Sequence, residues 1–117
     1  MSVLKIGIMS RQQFQERTLD IAAGRYTPKQ GEPKIWFSSV KSLGEVLSEN
    51  NVRLLKIMED KKPETITELA KLSGRQVPNL SRTLKTFERY GIVKLIKQQR
   101  SVKPIAKATV FNIYYAA

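Results

Sequence analysis

The chain has 117 residues, 41% of them hydrophobic, and carries a formal net charge of +11 with an isoelectric point near 10.1, which suits one small domain facing an acidic partner. It holds no cysteine and no histidine, which excludes disulfides, the usual zinc ligands, an imidazole general base and a thiolate nucleophile. No apolar run approaches the roughly 20 residues of a membrane-spanning helix, and the opening MSVLKIGIMSRQQ lacks the apolar stretch and cleavage site of a signal peptide, so a cytoplasmic protein with no membrane contact is expected.

In chain order, VLKIGIM at residues 3 to 9 puts Leu4, Ile6 and Ile8 on one side in strand alternation, with Lys5 and Gly7 opposite. Ser10 can cap a helix whose Phe14, Thr18, Ile21 and Ala22 share a face and which ends near Gly24. The polar segment RYTPKQGEP, residues 25 to 33, is punctuated by Pro and Gly and is the expected boundary. A short strand follows through Ile35, Trp36 and Phe37. Residues 1–37 thus form an expected amino-terminal strand-helix-strand extension for dimer or partner contact, in which Trp36 and Phe37 read as a buried pair before they read as a partner's anchor. Ser38 or Ser39 can cap the next helix, with Val40, Leu43 and Leu47 inward, and Ser48 another that buries Val52, Leu55 and Met58.

The main motif is ETITELAKLSGRQVPNLSRTLKTFERYGIVKLIK at residues 64 to 97. Pro63 closes the preceding segment, the Thr65 hydroxyl can cap a helix, and Glu68 three residues on completes a capping box. Ile66, Leu69 and Ala70 mark that helix's buried face, and Gly74 lets the chain turn sharply into a second helix starting near Gln76, with Pro78 in its first turn. Val77, Leu80, Leu84 and Phe87 fall on one apolar stripe. The other faces carry Arg75, Gln76, Asn79, Ser81, Arg82, Lys85 and Thr86, with no carboxylate until Glu88. Tyr90 reads as a packing residue, and Gly91 ends the helix. Ile92 to Lys97 is the expected first strand of a wing, and Ala108 to Tyr115, with Phe111, Ile113 and Tyr115 on one face, its antiparallel partner. QQRSVKPIAK between them would hold Arg100, Lys103 and Lys107 near the tip, with Pro104 limiting flexibility. The expected fold class is α+β, a winged helix-turn-helix over residues 38–117 behind the extension.

A helix-turn-helix with basic and amide side chains on its free face is suited to a DNA major groove. From Ala70 onward ten bases (Lys71, Arg75, Arg82, Lys85, Arg89, Lys94, Lys97, Arg100, Lys103, Lys107) face one acid, Glu88, whereas the first 69 residues hold the other eleven bases and nine acids. The positive field therefore coincides with the second helix and the wing. Asn79 suits a bidentate contact to adenine and the arginines suit guanine; Ser81 reads equally as a packing residue or a phosphate donor. The wing can follow a phosphate backbone or place an arginine in the minor groove. Glu59, Asp60, Glu64 and Glu68 read as a solvated acidic patch rather than a metal site, and no cofactor, metal or catalytic residue is expected.

ITELAKLSGR, NLSRTLK and YGIVKL together resemble the MarR-like winged-helix regulators over roughly residues 48 to 115. KIWFSSVKSL, the GRQVPNLSRTLK core and a proline in the wing resemble more narrowly the small antitoxin-type regulators paired with TumE-type toxins. That resemblance implies a sequence-specific DNA-binding regulator that binds and neutralises a cognate toxin and represses the shared operon, as a homodimer on a palindromic operator of double-stranded DNA. The amino-terminal strand and helix depart from the long dimerisation helix with which MarR proteins usually begin. The alternative reading is a winged-helix module that binds RNA or only protein, since fold does not fix function. An enzyme is the reading the residues support least.

Overall fold

Hydroxyl side chains start four of the five helices in the computed structural model, which describes residues 3–116. Met1, Ser2 and Ala117, at the outer ends of the two expected units, lie outside the described residues. Ser10 Oγ accepts the Gln13 amide at 3.1 Å to open α1 (Arg11–Ala22), and the Gln13 side chain accepts the Ser10 amide in return. Ser39, rather than Ser38, opens α2 (Val40–Val46), Ser48 opens α3 (Glu49–Lys61) and Thr65 opens α4 (Ile66–Ser73). Each oxygen satisfies an amide that a first turn leaves free. The box expected at Thr65 forms by half: Thr65 Oγ1 accepts the Glu68 amide at 3.0 Å, but the Glu68 carboxylate accepts the Glu64 amide, one residue before the cap. α5 (Val77–Arg89) follows Gln76 with no side-chain cap and with Pro78 in its first turn, where a missing N–H breaks no helical bond. Among the described residues no helix is long and apolar enough to cross a membrane.

The protein is α+β. Its described strands are β1 (Val3–Ile8), β2 (Ile35–Phe37), β3 (Val93–Lys97), β4 (Val102–Ala106) and β5 (Val110–Tyr115). Three make a parallel sheet in the order β2-β1-β5, and two make an antiparallel ribbon, β3-β4. This corrects the expected wing. Residues 108–115 do not pair with the strand after α5; β5 runs beside β1, from Val3 opposite Val110 to Ile8 opposite Tyr115. Alternating hydrophobicity reports that a strand has two faces and says nothing of its neighbour. The partner of β3 is β4, inside a segment expected as loop, with Pro104 opposite Leu95. Both strands of a two-stranded ribbon are edges, where proline is tolerated. The β1–β5 ladder also spans the division expected after residue 37, tying residues 3–8 to 110–115.

The core has two joined parts. Leu54, Leu55, Met58, Leu69, Leu80, Leu84, Phe87, Ile92 and Val93 pack among α3, α4, α5 and β3, while Ile6, Ile8, Phe37 and Leu43 pack between the parallel sheet and α2. Leu4, Val46, Leu47, Tyr90 and Phe111 touch both, and the rings of Phe37 and Tyr90 stack with centroids 4.3 Å apart. Val40, Val52 and Val77, expected inward, are exposed. Each lies within the first four residues of its helix, where the chain enters from solvent, and Leu54 fills the core on α3 instead.

α1 buries none of its residues, contrary to the expected apolar face: Phe14, Thr18 and Ala22 are exposed and Ile21 is half-buried. Polar and aromatic contacts hold it. Arg17 bonds Glu32 at 3.0 Å and stands 5.1 Å from the centroid of the Trp36 ring, and the Tyr26 hydroxyl donates to the same carboxylate. The Tyr26 hydroxyl, with Arg17 assisting, holds the Glu32 carboxyl below its ordinary range, and Glu32 in turn pushes the Tyr26 phenol up. A carboxylate lowered on folding contributes stability at neutral pH that is lost as pH falls through that lowered range.

Trp36 lies across Gly7, its register partner on β1. A β-carbon on Gly7 would collide with the six-membered ring of the indole, so only glycine lets the ring lie flat on the sheet. Gly7→Ala should lower unfolding stability by about 1–3 kcal/mol, the usual cost of overpacking, measured by urea titration. In a Trp36→Ala background the same change should cost well under half as much; an equal cost in both backgrounds would show that the ring is not the obstacle.

Candidate nucleic-acid interface

Burial of Leu80, Leu84 and Phe87 fixes how α5 is rotated. By helical period the opposite side carries Asn79, Arg82, Lys85, Thr86 and Arg89. Asn79, Arg82, Lys85 and Arg89 are exposed, Thr86 is half-buried, and the Thr86 hydroxyl donates back to the Arg82 carbonyl at 3.1 Å. Gln76 is exposed at the head of the helix, and Ser81 is half-buried on its flank. Arg89 was not among the expected contacts, although its place two turns beyond Arg82 makes it legible from spacing alone. The acid Glu88 beside it hid that regularity.

The turn into α5 is made by Gly74, in the left-handed conformation at φ 72°, whose amide closes on the Ala70 carbonyl at 2.9 Å. This lets Arg75 lie back along α5. Its Nη1 donates to Asn51 Oδ1 at 3.0 Å, its Nη2 to Asn79 Oδ1 and Thr83 Oγ1 at 2.9 Å each, and its Nε also to Asn79 Oδ1 at 3.3 Å. Arg75, expected as a free contact, therefore cross-links the head of α3 to the first two turns of α5. Its partners Asn51 and Thr83 were not legible as site residues, because nothing in the local pattern links positions 24 and 8 residues away. Arg75, Asn51 and Asn79 border a polar groove of about 450 Å³, with Ser48, Asn50, Arg53 and Ser73 on its other walls.

The ribbon continues the basic surface but differs from the expected wing. Its turn is short, with the Gln98 amide donating to the Ser101 carbonyl at 2.8 Å, and of the three expected tip residues only Arg100 is in it. Lys103 is on β4 opposite Ile96, with its ammonium 3.4 Å from the Glu64 carboxylate. Lys107 is at the base, where its amide donates to the Ile92 carbonyl. Lys94 and Lys97 are exposed on β3 as well, three residues apart and therefore on opposite faces of the ribbon. Among the described residues Arg82, Lys85, Arg89, Lys94, Lys97 and Arg100 make no ion pair. A run of cations without intramolecular anions is what a polyanion requires.

The acids noted in the sequence are each engaged elsewhere: Glu59 with Thr109 and Lys56, Asp60 with Lys56, Glu64 with Lys103, and Glu68 with the Glu64 amide. Among the described residues no group of three acids gathers to hold a metal ion.

Residues 46–113 match the model of the family described as HVO_A0114. The matched span begins at the end of α2 and runs into β5, so it contains α3 to α5 and the whole ribbon. No curated protein matches the chain.

Arg75 holds its partners through the geometry of a fork, which an ammonium cannot reproduce. Arg75→Lys should therefore lose most of the stability that Arg75→Met loses, about 1–2 kcal/mol in thermal or urea unfolding. A lysine variant as stable as the parent would show that charge alone matters at this position.

Proposed function

We propose that this chain, which belongs to the HVO_A0114 family, is a sequence-specific DNA-binding transcriptional regulator of the winged helix-turn-helix type. The observation that carries the reading is the outer face of α5, basic and free of paired acids, standing opposite the buried Leu80, Leu84 and Phe87. In this reading α4 supports, α5 enters the major groove, and the β3–β4 ribbon is the wing, with Lys97 and Arg100 towards the phosphates. Arg82 addresses a base edge, with Gln76 and Asn79 nearer the head of the helix; Lys85, Thr86 and Arg89 meet the backbone.

The likeness to MarR-like and antitoxin-type regulators extends the proposal to autorepression and a cognate toxin as partner. A palindromic operator calls for a dimer, and β5 supports one. It is one of the two edge strands of the parallel sheet, its VFNIYY sequence carries no charge, and Ile113, Tyr114 and Tyr115 are exposed. Two such edges can pair antiparallel about a two-fold axis, satisfying backbone groups that an edge leaves open. An uncharged strip also lets two strongly basic chains meet with least repulsion.

Binding to the duplex upstream of the protein's own gene tests the reading. Arg82→Ala should weaken that binding by about 1–3 kcal/mol and relax preference at one base pair. Arg100→Ala should flatten the dependence of log affinity on log salt by about one unit, and Lys103→Ala by less, because Lys103 is engaged with Glu64. Equal affinity of the parent for upstream and scrambled duplexes would contradict sequence-specific reading.

For the dimer, Ile113→Lys should shift the mass seen by light scattering to the monomer and lower operator affinity together, since two half-sites then no longer gain from linkage. A dimer that survives this substitution would place the interface elsewhere.

A further inference from the structure

The Asn79 carboxamide directs its oxygen at Arg75, accepting Nη2 at 2.9 Å and Nε at 3.3 Å. A guanidinium has donors only, so chemistry settles which end of the amide faces it. A carbonyl oxygen offers two lone pairs, and the fork occupies both. Arg75 is itself anchored by Asn51 and Thr83, so the oxygen is held by a group with little freedom to leave. What Asn79 retains on the exposed side of α5 is its Nδ2 group, which donates and cannot accept.

We propose that Asn79 reads a G·C pair through a donor-only contact to guanine, and that Arg75 is the positioning residue that sets this preference. The inference rests on the DNA-reading role proposed above and replaces the adenine contact that asparagine's ordinary chemistry suggests. Adenine presents N7 as acceptor and N6 as donor in the major groove, and pairing with it needs both ends of the carboxamide. Here the N6 donor would meet an oxygen already saturated by Arg75. Guanine presents N7 and O6, two neighbouring acceptors, and a free amino group satisfies that edge without calling on the oxygen. The same fork explains why Arg75 is not itself counted among the phosphate contacts.

Selection from randomised duplexes by the parent, Asn79→Ala and Arg75→Met proteins tests the proposal. The position whose preference disappears in Asn79→Ala should show G·C over A·T by on the order of tenfold in the parent. Arg75→Met, which frees the oxygen, should move that position towards A·T while the others keep their preference. A parental preference for A·T there, an Asn79→Ala profile identical to the parent's, or G·C retained by a folded Arg75→Met protein would each overturn the inference. A second measurement needs no Arg75 variant: 7-deazaguanine at the selected position should weaken parental binding several-fold and leave Asn79→Ala binding unchanged, and equal losses in the two would also overturn it. Absence of any enrichment by the parent would remove the DNA-reading role itself, an outcome distinct from a wrong base.

Discussion

The burial of one side of α5 is the constraint from which the candidate interface follows. Leu80, Leu84 and Phe87 are fully inaccessible against Leu54, Leu55, Met58 and Leu69. Each such side chain contributes about 1.5–3 kcal/mol by leaving water, whereas an exposed ion pair contributes about 1 kcal/mol or less. The apolar side therefore decides the rotation of the helix, and the cations opposite are carried outward as a consequence. Cap, turn and fork then refine the placement: Thr65 starts α4, Gly74 redirects the chain, and Arg75 binds the head of α5 to α3.

The parallel sheet attaches a second surface to this unit through few contacts. Tyr90, at the end of α5, stacks on Phe37 of β2, and Phe111 of β5 packs against both parts of the core. Parallel sheets are ordinarily covered on both faces. Here α1 follows β1 but buries none of its own residues, and β5 leaves an uncharged edge and four exposed large side chains, Val110, Ile113, Tyr114 and Tyr115. The cations of α5 and the uncharged, exposed strand β5 thus lie on different elements, which suits a protein proposed to hold DNA with one and its own copy with the other.

Where structure is local, the sequence was a good guide. The caps at Ser10, Ser39, Ser48 and Thr65, the turn at Gly74 and the stripe through Leu80, Leu84 and Phe87 depend on neighbours within one or two helical turns. Long-range choices were hidden. The alternation in VFNIYY is equally compatible with β3 or β1 as neighbour, and β1 is over a hundred residues away in the chain. The strand VKPIA was masked by Pro104 and by basic residues that read as a loop. At the candidate site Arg82 and Lys85 were legible from period and charge. Arg75 was legible by type, whereas its partner Asn51 was not, because that bond exists only once α3 and α5 meet.

The proposed contact brings a nucleic acid to the outer face of α5 and the tip of the ribbon. Amide chemical-shift mapping of the isotopically labelled protein, titrated with the duplex upstream of its own gene, tests this most directly. The largest shifts are expected at residues 75–89 and 97–101, with α1 and the outer edge of β5 little affected beyond any change in dimer population. Shifts concentrated on α1 and β5 with the amides of α5 unmoved, or no shifts at all at low salt, would contradict it.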